Sequence, residues 1–220
     1  MAATGPDMGN LYSLGREVLA RIQAKNAERE RVLAVSRQVV QHAAHAIRAA
    51  HRHEWQEAGA GLDAGNALVL EMNGAAAGHP DLMAAGYTLD AQKEHAEAHL
   101  VYATLRGRPL PDPMSLGVDD AAWLNGLGEA AAELRRASLD AIRRGEVAEA
   151  ERLLEALQEI YVFLSTIDFP DAITRGLKRT NDMVRGVAER TRGDLTLAVR
   201  QEDLKAAMER LEGRLAEGRP

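Results

Sequence analysis

Between residues 12 and 52, apolar side chains return about every 3.6 positions, with charge in between. Leu14, Val18, Ile22, Val32, Val35, Val39 and Ile47 carry this stripe. Forty residues with that period predict one long helix, or two continuous ones, and a chain that opens so is committed to packing long helices together. The rest of the 220 residues agrees. Alanine and leucine are plentiful, aromatic residues make up only 4%, and strand-length runs of β-branched residues are scarce. With 46% hydrophobic residues the chain can fill a sizeable core.

A second helix is expected from about 54 to 73, broken by the Gly- and Pro-containing string at 74–82. A third covers 89–106, with Thr88 as its N-cap. Three prolines between Arg106 and Leu116 require a loop. A fourth helix runs from Asp119 to Arg144, with Gly145 as its C-terminal cap. The fifth spans 147–166, where Leu153, Leu154, Leu157, Ile160, Tyr161 and Leu164 form a broad stripe. Asp168 to Asp171 closes that hairpin, and Pro170 suits the first turn of a sixth helix over 171–200. A polar helix at 202–216 ends the chain, either separate from the sixth or continuous with it. Residues 1–11 are expected to be a flexible N-terminus, and 201–220 a C-terminal polar helix. The expected architecture is all-α: one domain over 1–220, with six to seven long antiparallel helices. Alanine-rich stripes allow helices to approach closely. One layer cannot bury both faces of forty-residue helices, so association into a homo-oligomer is expected.

Charge is unevenly spread. Residues 1–56 carry net +3, residues 57–169 net −11, and residues 170–200 net +3, within an overall −6. Solvated charged faces account for such a pattern; so does an acidic metal site flanked by basic helices that contact phosphate. With no cysteine, disulfides and thiolate metal sites are excluded. No 18-residue apolar run suggests a membrane span, and the N-terminus lacks a signal-peptide core. The cytoplasm is the expected location.

Inside the acidic stretch, Glu94 and Glu97 stand at i,i+3 on the third helix, and Glu129 and Glu133 at i,i+4 on the fourth. Each pair projects from one helix face and costs its helix roughly 0.2–0.5 kcal/mol in like-charge repulsion. If the two faces meet, they form an oxygen-rich site suited to a hard cation such as Mg²⁺ or Mn²⁺. If they do not, Glu133 can pair with Arg136 while Glu94 and Glu97 face water. His95 and His99 share the i,i+4 spacing of zinc ligands, but no HExxH is present. His42/His45 and His51/His53, on the first helix, fit solvent-facing or partner-facing positions better than ligand positions. A ferritin-like di-iron site requires Glu-x-x-His, which never occurs here. Trp123 and Tyr161 lie on apolar stripes and are expected in the core.

These strings have a familiar order. Lys93-Glu94-His95-Ala96-Glu97-Ala98 and the run from Trp123 through Gly126, Gly128, Glu129 and Glu133 to Arg136 resemble the translin superfamily, particularly its nuclease branch, translin-associated factor X (Trax) and its prokaryotic relatives. Asp168-Phe169-Pro170, Leu177-Lys178-Arg179, Asp182, Arg185, Glu189, Thr191 and Arg192 are similar to the C-terminal signature of the prokaryotic members. Arg29, Arg31, Ser36, Arg37, Ile47, His51 and Arg52 are similar to the family's first helix. The likeness spans most of residues 26–200. It implies an all-α fold of seven helices, hollow oligomers, and metal-dependent endoribonuclease activity, mainly on single-stranded RNA. Carried over by position, the catalytic and metal-binding residues are Glu94, Glu97, Glu129 and Glu133. Glu129 departs from the pattern, since Trax commonly has Asp there. The alternative is a non-catalytic, translin-like oligomer that binds RNA or single-stranded DNA. Translin lacks part of the acidic set, so its presence here favours the nuclease branch. Candidate phosphate contacts are Arg29, Arg31, Arg37, Arg48 and Arg52 on the first helix, and Lys178, Arg179, Arg185 and Arg192 on the sixth.

Overall fold

A computed structural model describes residues 8–217 of the chain; the expectations made for residues 1–7 and 218–220 lie outside them. Among the described residues all regular structure is helical: α1 (Leu11–His51), α2 (Trp55–Ala76), α3 (Pro80–Met83), α4 (Gly86–Leu105), α5 (Pro113–Leu116), α6 (Asp120–Arg143), α7 (Val147–Ser165), α8 (Asp171–Thr174) and α9 (Leu177–Glu217). Six are long; α3, α5 and α8 are single turns. α1 and α9, of 41 residues each, are about 60 Å long at 1.5 Å per residue.

The long helices form two groups of three. α1 packs on α2 and α4, α6 packs on α7 and α9, and the two groups join where α4 meets α6. One apolar cluster, centred on Leu100, Leu127, Leu134, Leu153, Leu157 and Leu164, fills the second group and reaches α4. Another, built on Val32, Val35, Val39, Val69 and Met72, fills the first. Trp123 and Tyr161 pack half-buried against the larger cluster, and the Trp123 indole donates to the Pro111 carbonyl at 3.0 Å.

Antiparallel packing holds between successive long helices within each group, whereas α4 and α6 run parallel. Asp119 N–H donates to Gln92 Oε1 at 3.0 Å at one end of this pair. Leu105 and Ala137 line one cleft at the other end. The proline-bearing connection therefore has to run back along the length of α4. Asn73 fixes the return, receiving from Gln92 at 3.0 Å and donating to the Gly117 carbonyl at 2.7 Å. Because the helices run parallel, the two carboxylate pairs sit at one level instead of at opposite ends.

Several boundaries differ from expectation. α4 starts at Gly86, so Thr88 is not its N-cap; buried in the first turn, its hydroxyl donates to the Leu82 carbonyl at 2.7 Å and ties α4 to α3. The loop after residue 106 contains α5, capped by Asp112, whose carboxylate accepts from Ser115 N–H at 3.0 Å. The sixth expected helix does not run on from residue 171. Arg175 and Gly176 take positive φ (53° and 83°), which ends α8 after one turn and restarts the chain as α9. Of the two alternatives left for residues 202–216, continuity holds: they are the end of α9. On α1 the predicted stripe splits. Val32, Val35, Val39 and Ile47 are buried, while Leu14, Val18 and Ile22 remain exposed on an arm clear of the body.

α4 and α6 approach so closely because position 126 has no side chain. A Cβ there would lie 2.7 Å from the Lys93 carbonyl oxygen and 3.0 Å from the Glu97 nitrogen. Both are backbone atoms and cannot swing aside. Alanine gains up to about 1 kcal/mol over glycine in a helix, but overpacking costs about 1–3 kcal/mol, so the clash wins. Gly126→Ala should lower the urea midpoint. Gly74→Ala, on α2 with nothing within 4 Å of its added Cβ, should raise it or leave it unchanged.

Candidate metal centre

Glu94 and Glu97 lie one turn apart on α4, facing Glu129 on α6 across the seam that Gly126 keeps tight. One carboxylate oxygen from each of the three falls within 4.8 Å of the others. Three hard oxygen donors at this separation can hold a divalent cation of the Mg²⁺ or Mn²⁺ type. Glu129 reaches the group although its side chain is one methylene longer than that of Asp. Glu133, one turn further along α6, does not join it.

Glu97 is the deepest of the three, only 8% exposed. Burial, reinforced by the charges of Glu94, Glu129 and Glu133 and opposed by Lys93, pushes its carboxyl up to about 8. Burial likewise raises Glu94, against the pull of Lys93. The Lys93 ammonium lies among these acids, 2.7 Å from Glu129 Oε1 and 3.8 Å from Glu94 Oε1. Burial works to lower its pKa, but the hydrogen bond to Glu129 and the surrounding acids hold it above the usual lysine range.

Glu133 is neutralised differently. Its Oε2 meets the His51 ring, brought in by the end of α1, and lies 3.6 Å from Arg136. The His51 hydrogen bond holds its carboxyl below the usual range despite partial burial. His51 thus departs from the solvent-facing or partner-facing place expected for it: its side chain is 5% exposed. Sequence reasoning missed both His51 and Lys93 as members of this constellation. A lysine flanking the first acid was visible, whereas nothing in a local string could have carried His51 to a residue 82 positions away.

His95 and His99 turn to the other side of α4, where both rings meet Asn66 Oδ1, at 3.0 and 3.1 Å. Burial keeps them neutral, down to about 3 and about 4. Their pairing with Asn66 leaves them apart from the carboxylates. The basic candidates divide. Arg29 pairs with Glu30, Arg31 with Glu71, Arg52 with Glu54 and Glu57, and Arg185 with Asp182 at 4.0 Å. Arg37, Arg48, Lys178, Arg179 and Arg192 are exposed, with no carboxylate partner among the described residues.

The fold and sequence have relatives among solved structures. The chain is 33% identical to AfC3PO in a structure of its complex with duplex RNA, with a TM-score of 0.76, covering 83% of this chain and 95% of that one. A further AfC3PO structure matches at 32% identity and a TM-score of 0.75 over the same shares. Apo-NeC3PO, 18% identical with a TM-score of 0.75 over 90% of this chain and 100% of that one, shares the fold. An uncharacterized protein of Methanocaldococcus jannaschii is 27% identical over 190 residues, 86% of this chain and 84% of its own length. No family model matches the chain. No helix among the described residues is long and apolar enough to cross a membrane.

The proton on Glu97 makes stability depend on pH. Its folded pKa exceeds the ordinary value of 4.5, so between about pH 4.5 and 8 the native state holds a proton that the unfolded chain releases. That stabilisation is full below pH 4.5 and disappears as pH rises through 8. In EDTA, thermal stability should therefore fall over this window, and Glu97→Gln should flatten the fall and leave the variant more stable than wild type at pH 8. Parallel pH profiles for the two proteins would contradict the assigned proton.

Proposed function

Because the chain belongs to the translin superfamily, being 33% identical to a C3PO protein over 83% of its own length and 95% of that protein's, we propose that it is a metal-dependent endoribonuclease. Its substrate is mainly single-stranded RNA, and it works as a soluble, cytoplasmic homo-oligomer. The observation that carries this reading is the convergence of Glu94, Glu97 and Glu129. Phosphodiester hydrolysis requires an activated water and relief of charge on the phosphoryl oxygens. A bound Mg²⁺ supplies both, as Lewis acid and by lowering the pKa of its water.

The chain's own residues then have separable roles. Glu94, Glu97 and Glu129 would hold the cation, and Glu97 would release its proton to solvent on doing so, because metal binding needs the carboxylate. Glu133 is already ionised at neutral pH. His51 and Arg136 both engage its Oε2, which leaves Oε1 to orient the attacking water and accept its proton. The unpaired cations Arg37, Arg48, Lys178, Arg179 and Arg192 are the leading phosphate contacts. Arg29, Arg31, Arg52 and Arg185 contribute only by giving up ion pairs. Affinity for RNA should accordingly fall steeply with salt.

A second reading keeps the fold and drops the chemistry: a translin-like binder of RNA or single-stranded DNA. The ammonium of Lys93 among the carboxylates favours it, since an acid cluster satisfied from within the chain has less need of a metal.

A short fluorescent single-stranded RNA incubated with Mg²⁺ separates the two. Under the nuclease reading, cleavage stops in EDTA. Glu97→Gln and Glu129→Gln each lower the rate by at least the roughly 10–100-fold typical of disturbing a metal's supporting shell. Binding without metal-dependent cleavage would leave the second reading standing. For the contacts, Arg37→Gln with Lys178→Gln should weaken RNA binding without changing its sequence preference and make its salt dependence shallower.

A further inference from the structure

Among the described residues, Lys93 is the one cation paired with two of the three clustered carboxylates. Its ammonium donates to Glu129 Oε1 at 2.7 Å and lies 3.8 Å from Glu94 Oε1. Its side chain is 22% exposed, so it is held in the seam between α4 and α6. Both carboxylates it touches belong to the three that converge within 4.8 Å. An ammonium and a divalent cation draw on the same carboxylate charge, and Glu129 Oε1, while it accepts from the lysine, is not a fully available metal donor.

We infer that Lys93 is an internal counter-cation that competes with the divalent metal for Glu129 and Glu94 and so sets the metal concentration at which the site fills. The inference rests on the metal-binding reading above. In the metal-free protein, Lys93 stabilises a packed cluster of acids on two helices that would otherwise repel each other. When metal arrives, the Glu129–Lys93 bond breaks, and the flexible four-carbon stem lets the ammonium swing out from the acids. Lys93 is thus a residue that acts through the carboxylates and not on the substrate.

A charge-assisted hydrogen bond of this kind contributes about 1.5–3 kcal/mol, and each 1.4 kcal/mol is a factor of ten. Removing it should tighten metal binding by roughly ten- to hundredfold. Lys93→Met keeps the stem's bulk and removes the charge; Lys93→Arg keeps the charge. Mn²⁺ titrations of the full-length protein, followed by calorimetry or by the electron paramagnetic resonance of free Mn²⁺, should give a lower Kd for Lys93→Met. Lys93→Arg should return it toward wild type. An unchanged or weaker affinity in Lys93→Met overturns the competition. Wild-type protein that binds no Mn²⁺ at all overturns the metal reading instead, so the two failures are distinct.

The wild-type protein gives an independent test should the methionine variant fold poorly. Acetylation footprinting of lysines by mass spectrometry should show Lys93 labelled slowly without metal and faster with saturating Mn²⁺, while Lys25 and Lys178 stay constant. Labelling of Lys93 that ignores saturating Mn²⁺ would show that the ammonium does not leave.

Discussion

At Gly126 the backbones of α4 and α6 meet with no side chain between them, and this contact links the two groups of three helices into one body. A Cβ at that position would strike the Lys93 carbonyl and the Glu97 nitrogen, so the distance between the helices is set at the very turns that carry the carboxylates. Parallel direction adds the second constraint, since it brings Glu94 and Glu97 level with Glu129 instead of a helix length away. The strap through Pro111 and Pro113 that allows the parallel run is held by Gln92, Asn73 and Trp123. A packing decision and a chain-tracing decision thus together assemble the acid cluster.

What that assembly costs is visible in how the four acids are satisfied, each in a different way. Glu97, deepest in the seam, takes a proton. Glu129 takes an ammonium from the same helix that carries its neighbours. Glu133 takes an imidazole and a guanidinium. Glu94 keeps partial exposure and the edge of the Lys93 charge. As exposed helical pairs, such residues repel by only a few tenths of a kcal/mol. Burial multiplies the penalty, because a carboxylate removed from water must be paired or protonated. A divalent cation bound there would satisfy three of them at once.

Much of this was legible in the chain. Helix existence, order and most ends followed from periodicity and from Pro and Gly breaks, and the family resemblance stated from the strings around Glu94 and Glu129 agrees with the solved C3PO structures. The pairing of α4 with α6 is not legible there, since nothing local says that two faces meet. Three misreadings have physical causes. Thr88 has the composition of a cap but serves a tertiary hydrogen bond. Pro170 does start a helix, yet the positive φ of Arg175 and Gly176 interrupts the turn it begins. Leu14, Val18 and Ile22 keep the helical period of buried positions without being buried, because periodicity reports which way a side chain points and not whether anything lies there. His51 was out of reach altogether, as its partner is set by tertiary geometry.

The exposed start of α1 gives that helix an uneven character. From Val32 to Ala50 it is locked between α2 and α4, so its amides should open only when most of the molecule does. From Leu11 to Ile22 it stands alone, and an isolated helix of that length is marginal in water. Its amide protons should exchange with solvent orders of magnitude faster than those thirty residues on. One unbroken rod therefore has two melting thresholds. The ion pair from Lys25 to Asp81 marks where the first gives way to the second.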